Sequence, residues 1–186
     1  MASLGVVLDA CVLIPGCLRD TLLRAAQAGL FRVQWSEETV TEVRRNLVED
    51  GLVVDEVKAA QLVGKMQEAF PLASVPLSRR FVQTMPNHPE DRHVLAAAVA
   101  SQDRMLVTFN LRHFPVSDLA PRGVEALDPD AFLTLLCGTE PSAMVRIIRK
   151  QAQALRKPQQ TALQVLGTLS KHAPTFVEMV RTHFAS

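Results

Sequence analysis

The feature that most constrains this chain is a three-residue aliphatic run, Val6-Val7-Leu8, stopped by an acid, Asp9. A short, continuous apolar run reads as a strand buried on both faces, the kind that parallel sheets use. The signal returns at Phe31–Trp35 and at Met105–Phe109. It is weaker at Ala73–Leu77, where Pro76 intervenes, and at Gly123–Leu127. Helical stretches fill the gaps. One covers about 18–28 and is closed by Gly29. The next is opened by Ser36 as N-cap, carries Glu37 and Glu38 in its first turn, where the helix dipole favours acids, and runs to Glu49 before Asp50-Gly51. Others span roughly 55–70, Pro89 to about Ser101, and 130–136. Strands alternating with helices predict an α/β fold with a central parallel sheet.

Beyond Gly138-Thr139-Glu140-Pro141 the pattern changes. Three helical stretches, about 141–157, 159–171 and 174–184, are separated by Pro158 and Pro174, and no convincing strand follows. The expected organisation is a body, residues 1–137, and a helical C-terminal extension, residues 138–186. Charge divides at the same place. The body holds 13 Lys+Arg against 17 Asp+Glu, a net −4, and the extension holds 7 against 2, a net +5. Arg146, Arg149 and Lys150 stand at i, i+3, i+4, and Arg156 and Lys157 follow. Such a face is either solvated or a contact surface for nucleic-acid phosphates or a protein partner. Aromatic residues are 5% of the chain and Tyr is absent, which argues against a base-stacking platform. Cys11, Cys17 and Cys137 are odd in number and show no CxxC spacing, as expected of a reducing compartment. No secretory leader is visible and the longest uncharged run, Pro158–Ser170, is too polar to span a bilayer, so a cytoplasmic protein without a membrane partner is expected.

Chemistry belongs at the strand ends, because parallel sheets bind ligands beyond the carboxyl tips where strand order reverses. Asp9 follows the first strand directly. A carboxylate held against a dry core is costly unless it is paired or binds a metal, although a loop-capping Asp is the plainer alternative. Asp91 lies in the first turn of the helix that starts near Pro89. It shares a face with Leu95 and Ala98, the face that packs on the sheet. Thr108 and Asn110 follow the strand at Met105–Phe109 and face one side if that strand continues. His88, His93 and His113 lie near these segments and read as surface or core histidines before catalysts.

Four segments together resemble the PIN-domain family. Val6-Val7-Leu8-Asp9-Ala10-Cys11 is similar to its opening strand and D-x-N/S motif. Ser36–Val43 resembles its helix with an internal Glu. Pro89–Ala98 resembles its D-x-x-x-x-A-A-A helix, and Leu106–Pro115 its T-x-D/N…F motif. The segments come in the family's order over residues 5 to about 128, and the subgroup they most resemble is the VapC-type ribonuclease toxins of bacterial toxin–antitoxin pairs.

The resemblance implies a three-layer fold, a central parallel sheet flanked by helices, with the C-terminal helical extension appended. It implies a metal-dependent endoribonuclease that uses Mg²⁺ or Mn²⁺, an RNA substrate, a cognate antitoxin and a homodimer. It assigns Asp9, Glu42 and Asp91 as metal-binding acids, and Asn110 and Thr108 as further members of the catalytic set. Glu42 rests on the resemblance alone, since Val40, Val43 and Leu47 form the apolar stripe of its helix and Glu42 lies away from it. Two positions depart from the family's pattern. Asn110 stands where many members have a fourth Asp, and Cys11 stands where Asn or Ser is usual, which predicts one hydrogen-bonding group fewer. Arg146, Arg149 and Lys150 are the candidate RNA contacts. The departures keep one rival open, a catalytically weak or inactive PIN-fold scaffold that binds RNA or regulates. Other folds that start with a strand and an Asp fit less well. A haloacid-dehalogenase-like phosphatase needs an Asp where Cys11 stands, and a receiver domain needs an acidic pair and a later Lys, neither of which appears.

Overall fold

The computed structural model describes residues 4–156 and 158–184, so Lys157 of the basic tail lies outside the described residues. The described chain gathers into two compact units, one of residues 4–14 with 32–127 and the other of 15–31 with 128–184.

In chain order the elements are β1 (Gly5–Leu8), α1 (Ala10–Leu13), α2 (Gly16–Gln27), β2 (Arg32–Gln34), α3 (Glu37–Glu49), α4 (Glu56–Ala69), α5 (Arg79–Gln83), α6 (Arg92–Ala100), β3 (Met105–Val107), α7 (Val116–Leu119), β4 (Glu125–Leu127), α8 (Pro129–Thr139), α9 (Pro141–Ala154), α10 (Ala162–Leu169) and α11 (Pro174–Phe184). A single 3-10 turn, Pro89–Asp91, leads into α6, and another, Leu111–His113, follows β3.

The first unit holds a four-stranded sheet in the order β2-β1-β3-β4, every pair parallel. The chain leaves β1 for β2 on one side and later returns to β3 on the other. Strand order therefore reverses between β1 and β3, which opens a crevice at their carboxyl ends. Both strands are wholly buried, as continuous aliphatic runs require. Helix α6 packs on β1 and β3 through Val94, Leu95 and Ala98, all with no exposed surface, against Val7 and Leu106. Ser36 caps α3 by accepting the Thr39 N–H, and Asp55 caps α4 by accepting that of Lys58. Gly29 and Gly51 both take the left-handed backbone, with φ of 80° and 65°, and end α2 and α3 as the sequence predicts.

Two expected features differ. Ala73–Leu77 is not a strand. Only Ser74 bridges the sheet, opposite Trp35, and Pro76 offers no N–H to continue the ladder. The strand at Met105–Phe109 stops at Val107, so Thr108 and Asn110 do not share a strand face.

The second unit is helical. Helices α8, α9 and α11 pack on one another, and α2 packs on α9 and α10. Its core includes Leu18, Leu22, Phe132, Met144, Ile148, Leu166, Leu169 and Phe176, each without exposed surface. Phe31 meets Phe132 edge to face at 5.0 Å. Thr21 donates to the Gln151 side-chain oxygen at 2.7 Å, a buried polar contact inside this core. Asp130 accepts the N–H groups of Thr175 and Phe176 and so anchors the start of α11. Among the described residues no single helix is long and apolar enough to cross a membrane.

Leu106 sits in the strand beside β1 with no exposed surface, whereas Leu163 on α10 is 63% exposed. Leu106→Ala should cost about 2–5 kcal/mol of stability. Leu163→Ala should stay within about 0.5 kcal/mol of the parent. Urea unfolding of the two variants measures both values, and equal losses would contradict the packing described.

Candidate active site

The crevice between β1 and β3 is built by two short exits. After Leu8 the chain turns at once into α1, and Asp9 is its N-cap residue, with its N–H still pairing to the Val107 carbonyl at 3.1 Å. Its side chain does not cap α1. Instead the carboxylate reaches across to the end of β3, where Thr108 Oγ1 donates to Oδ2 at 2.6 Å. The Cys11 thiol donates to the same oxygen at 3.2 Å, and the Phe109 N–H donates to Cys11 Sγ at 3.3 Å. Cys11 therefore keeps a hydrogen bond to the site, contrary to the expectation that it loses one. The Asn110 N–H donates to a lone pair of Thr108 Oγ1 at 2.9 Å, which leaves the hydroxyl's one proton for Asp9.

Asp9 is 2% exposed. Burial is the largest influence on its carboxyl and raises its pKa above the ordinary value; the hydrogen bonds from Thr108 and Cys11 oppose this, and the Asp91 and Glu42 carboxylates raise it further. The Cys11 thiol is pushed up to about 12, first by burial and then by the neighbouring Asp9, so it is a hydrogen-bonding group and not a nucleophile at neutral pH.

Beside Asp9 lies an open cleft of about 640 Å³. Helix α3 supplies Glu38, Thr41, Glu42 and Arg45 to it; the turn before α6 supplies Glu90 and Asp91; and Asn110 and His113 close it from the β3 side. Asp91 is buried, and its Oδ2 lies 2.5 Å from His113 Nδ1 and 3.9 Å from His88 Nδ1. Glu42 Oε2 lies 3.6 Å from His93 Nε2. The other His93 nitrogen, Nδ1, is 2.9 Å from Ser36 Oγ and 3.4 Å from Thr39 Oγ1. Ser36 thus caps α3 and also orients the histidine that faces Glu42.

The structure brings Asp9, Glu42, Asp91, Thr108 and Asn110 to one place. Glu42 faces the cleft because the cleft lies on the polar side of α3, away from the Val40, Val43 and Leu47 stripe. The three histidines are the part that sequence reasoning passed over. Each faces an acid of the site, and only the His88-to-Asp91 spacing of i, i+3 is visible along the chain. Arg146, Arg149 and Lys150 do not act as one face. Arg146 and Lys150 line a second groove of about 450 Å³ with Arg24 and Glu140, while the Arg149 guanidinium lies 5.2 Å from the centre of the Phe184 ring.

What could occupy the crevice follows from the donor set. Two buried carboxylates, a third at the rim and the Asn110 amide are hard oxygen donors, and such donors suit a divalent cation of the magnesium class. A buried carboxylate raised by two further acids gains most from a positive charge.

Known proteins resemble this chain in two parts. A family profile described as PIN domain matches residues 5–112, and one described as VapC50 C-terminal domain matches residues 129–182. A curated Mycobacterium tuberculosis protein named "Putative ribonuclease VapC50" is 37% identical over 105 residues, 56% of this chain and 62% of that protein. The similarity thus spans under two thirds of the relative's length. No solved structure matches the chain.

The raised Asp9 carboxyl carries a sign. The fold favours the protonated form, so that stabilisation is fully present below the ordinary carboxylate value and is lost as pH rises through the raised one. Without metal at pH 7, Asp9→Asn should therefore raise Tm by several degrees, about 2–4 °C per kcal/mol in a chain this size. The gain should vanish in acid. A Tm difference that does not change with pH would show that the buried Asp9 charge is not its source.

Proposed function

The chain belongs to the PIN-domain family, and from that premise we propose that it is a metal-dependent endoribonuclease, the toxin of a VapC-type toxin–antitoxin pair. One observation carries the proposal: Glu42 and Asp91, from separate elements, line one cleft with Asn110, whose N–H is bonded to the Thr108 hydroxyl that holds the buried Asp9 carboxylate at the switch point of the sheet. A scaffold that only bound RNA would have no use for clustered acids, which repel a polyanion and cost stability.

In this reading Asp9 and Asp91 hold a Mg²⁺ or Mn²⁺ ion, with Glu42 and the neutral Asn110 oxygen beside them. When bound, the ion supplies charge relief on the phosphoryl oxygens and lowers the pKa of water. The rest is the work of this chain's own residues. Thr108 and Cys11 hold the Asp9 carboxylate by two hydrogen bonds to one oxygen, leaving the other oxygen free of them. Glu42, at the cleft wall, orients the attacking water and accepts its proton. His93 is a positioning residue that keeps Glu42 in place, itself set by Ser36 and Thr39. Arg45 brings a cation into an otherwise acidic cleft, where it can meet the phosphate.

The remaining parts are proposals of the same reading. The body, residues 1–137, carries the acids. The extension, residues 138–186, contributes electrostatic RNA contact through Arg146, Arg149 and Lys150. Arg146 and Lys150 support this best, because they share a groove with Arg24. The three cysteines are free thiols, which agrees with a cytoplasmic location. A cognate antitoxin and a homodimer are expectations of the same reading.

Cleavage of a labelled RNA by purified protein, with and without Mg²⁺ or Mn²⁺, tests the activity. Asp9→Ala and Asp91→Ala should each lower it by about 10²-fold or more, a larger loss than removing a ligand's supporting partner brings. Asn110→Asp should tighten metal binding by adding charge. Wild-type rates in both acid variants would remove the catalytic assignment and favour the scaffold reading.

Binding can be tested apart from cleavage. Lys and Arg contacts to phosphate release counterions, so affinity should fall as salt rises. Changing Arg146, Arg149 and Lys150 together to Gln should weaken binding to all RNA sequences and flatten the salt dependence. It should leave metal binding at Asp9 as it was. Superimposable affinity curves for parent and triple variant would remove these three residues from RNA binding.

A further inference from the structure

Two imidazoles face one oxygen of Asp91. His113 Nδ1 lies 2.5 Å from Asp91 Oδ2 and His88 Nδ1 lies 3.9 Å from the same atom. The two rings stack, with centroids 4.4 Å apart and planes inclined by 15°. The three ligand atoms lie within 4.8 Å of one another. Surface histidines that merely pair with an acid have no reason to present the same nitrogen of both rings to one carboxylate.

We propose that His88, Asp91 and His113 form a second cation site that takes zinc-class ions in preference to magnesium. Ligand chemistry supports the choice. Imidazole suits Zn²⁺ and its neighbours, whereas Mg²⁺ binds oxygen donors and dehydrates reluctantly. Two histidines and one carboxylate make a common three-ligand zinc set, with the fourth position left for water or another donor. A candidate for that position is present, since Glu90 Oε2 lies 3.9 Å from His88 Nδ1.

The dimensions fit with small movements. Zinc bonds to nitrogen and carboxylate oxygen are about 2.0–2.2 Å, which puts the ligand atoms of a tetrahedral site about 3.3 Å apart. The 2.5 Å contact must open and the 3.9 Å contact must close, each by less than an ångström, and the two histidine nitrogens, at most 4.8 Å apart, must draw together by up to about 1.5 Å. His88 is 44% exposed at its side chain and sits just before the 3-10 turn, so it can move. Asp91 is held by the fold and fixes the position of the site. Zinc there engages an oxygen of Asp91 that the ribonuclease reading needs, so zinc inhibits magnesium-supported cleavage. That consequence rests on the ribonuclease reading; zinc binding itself does not.

Zinc binding to the metal-free full-length protein, measured by competition with a chromophoric chelator, is the test. One tight equivalent is expected, retained in excess Mg²⁺. His88→Ala and His113→Ala should each weaken it by about tenfold or more. Folded variants, judged by circular dichroism, that bind zinc as the parent does would overturn the site. So would zinc lost in Cys11→Ser and kept in both histidine variants, because that places the ion at Asp9 and Cys11. Should a histidine variant fail to fold, the visible spectrum of Co²⁺-loaded wild type decides. Strong d–d bands without a thiolate charge-transfer band support the site, and a thiolate band or a weak, water-like spectrum overturns it. A protein that binds zinc here but cleaves no RNA contradicts the ribonuclease reading alone. One that cleaves RNA in Mg²⁺ yet lacks the zinc site contradicts this proposal alone.

Discussion

The burial of one carboxylate at the tip of the central strand governs the arrangement around it. Asp9 cannot reach water freely and stands close to two further acids. A lone charge in that position would be costly in a folded chain. The fold answers with two hydrogen bonds, one across the switch point from Thr108 at the end of β3 and one from Cys11 in the first turn after β1. The pairing of β1 with β3 is therefore more than sheet structure. It brings a donor from residue 108 to an acceptor at residue 9, and through the Asn110 N–H it also sets the course of the chain past the strand. The remaining imbalance is electrostatic, and a divalent cation is the simplest species that relieves it.

The same logic explains the outer ring of contacts. Each acid that raises Asp9 faces an imidazole. Glu42 faces His93, which Ser36 and Thr39 steer, and Asp91 faces His113 and His88. An imidazole thus stands beside Glu42 and beside Asp91, whereas Asp9 is held by a hydroxyl and a thiol. Cys11 also becomes intelligible. A thiol pushed up to about 12 stays protonated, so it serves as the hydrogen-bond donor that a hydroxyl or an amide would otherwise be.

Much of this was legible along the chain, and the limits have physical causes. An aliphatic run ended by Asp marks Asp9, because only a strand buried on both faces is apolar at every position. Asp91 is marked by sharing a face with Leu95 and Ala98. Glu42 was legible only by resemblance, since the wall of an open cleft is a helix's polar side and looks like any solvated face. The histidines were not legible, because His93 and His113 meet acids 51 and 22 residues away, pairings that no local pattern encodes. Ala73–Leu77 has strand composition but supplies one bridge, as Pro76 breaks the donor pattern. Nor does periodicity show that residues 15–31 group with the C-terminal helices. That grouping depends on which apolar faces meet, such as Phe31 on Phe132.

The central claim is that the raised Asp9 carboxyl awaits a cation. It is tested most directly by following the Asp9 side-chain carboxyl through a pH titration by ¹³C NMR, first without divalent ions and then with saturating Mg²⁺, which is diamagnetic and leaves the resonance observable. The account predicts a midpoint above the ordinary carboxylate value in the metal-free protein and a fall well below it when the ion is present. An Asp9 that titrates at the ordinary value and ignores the ion would contradict it.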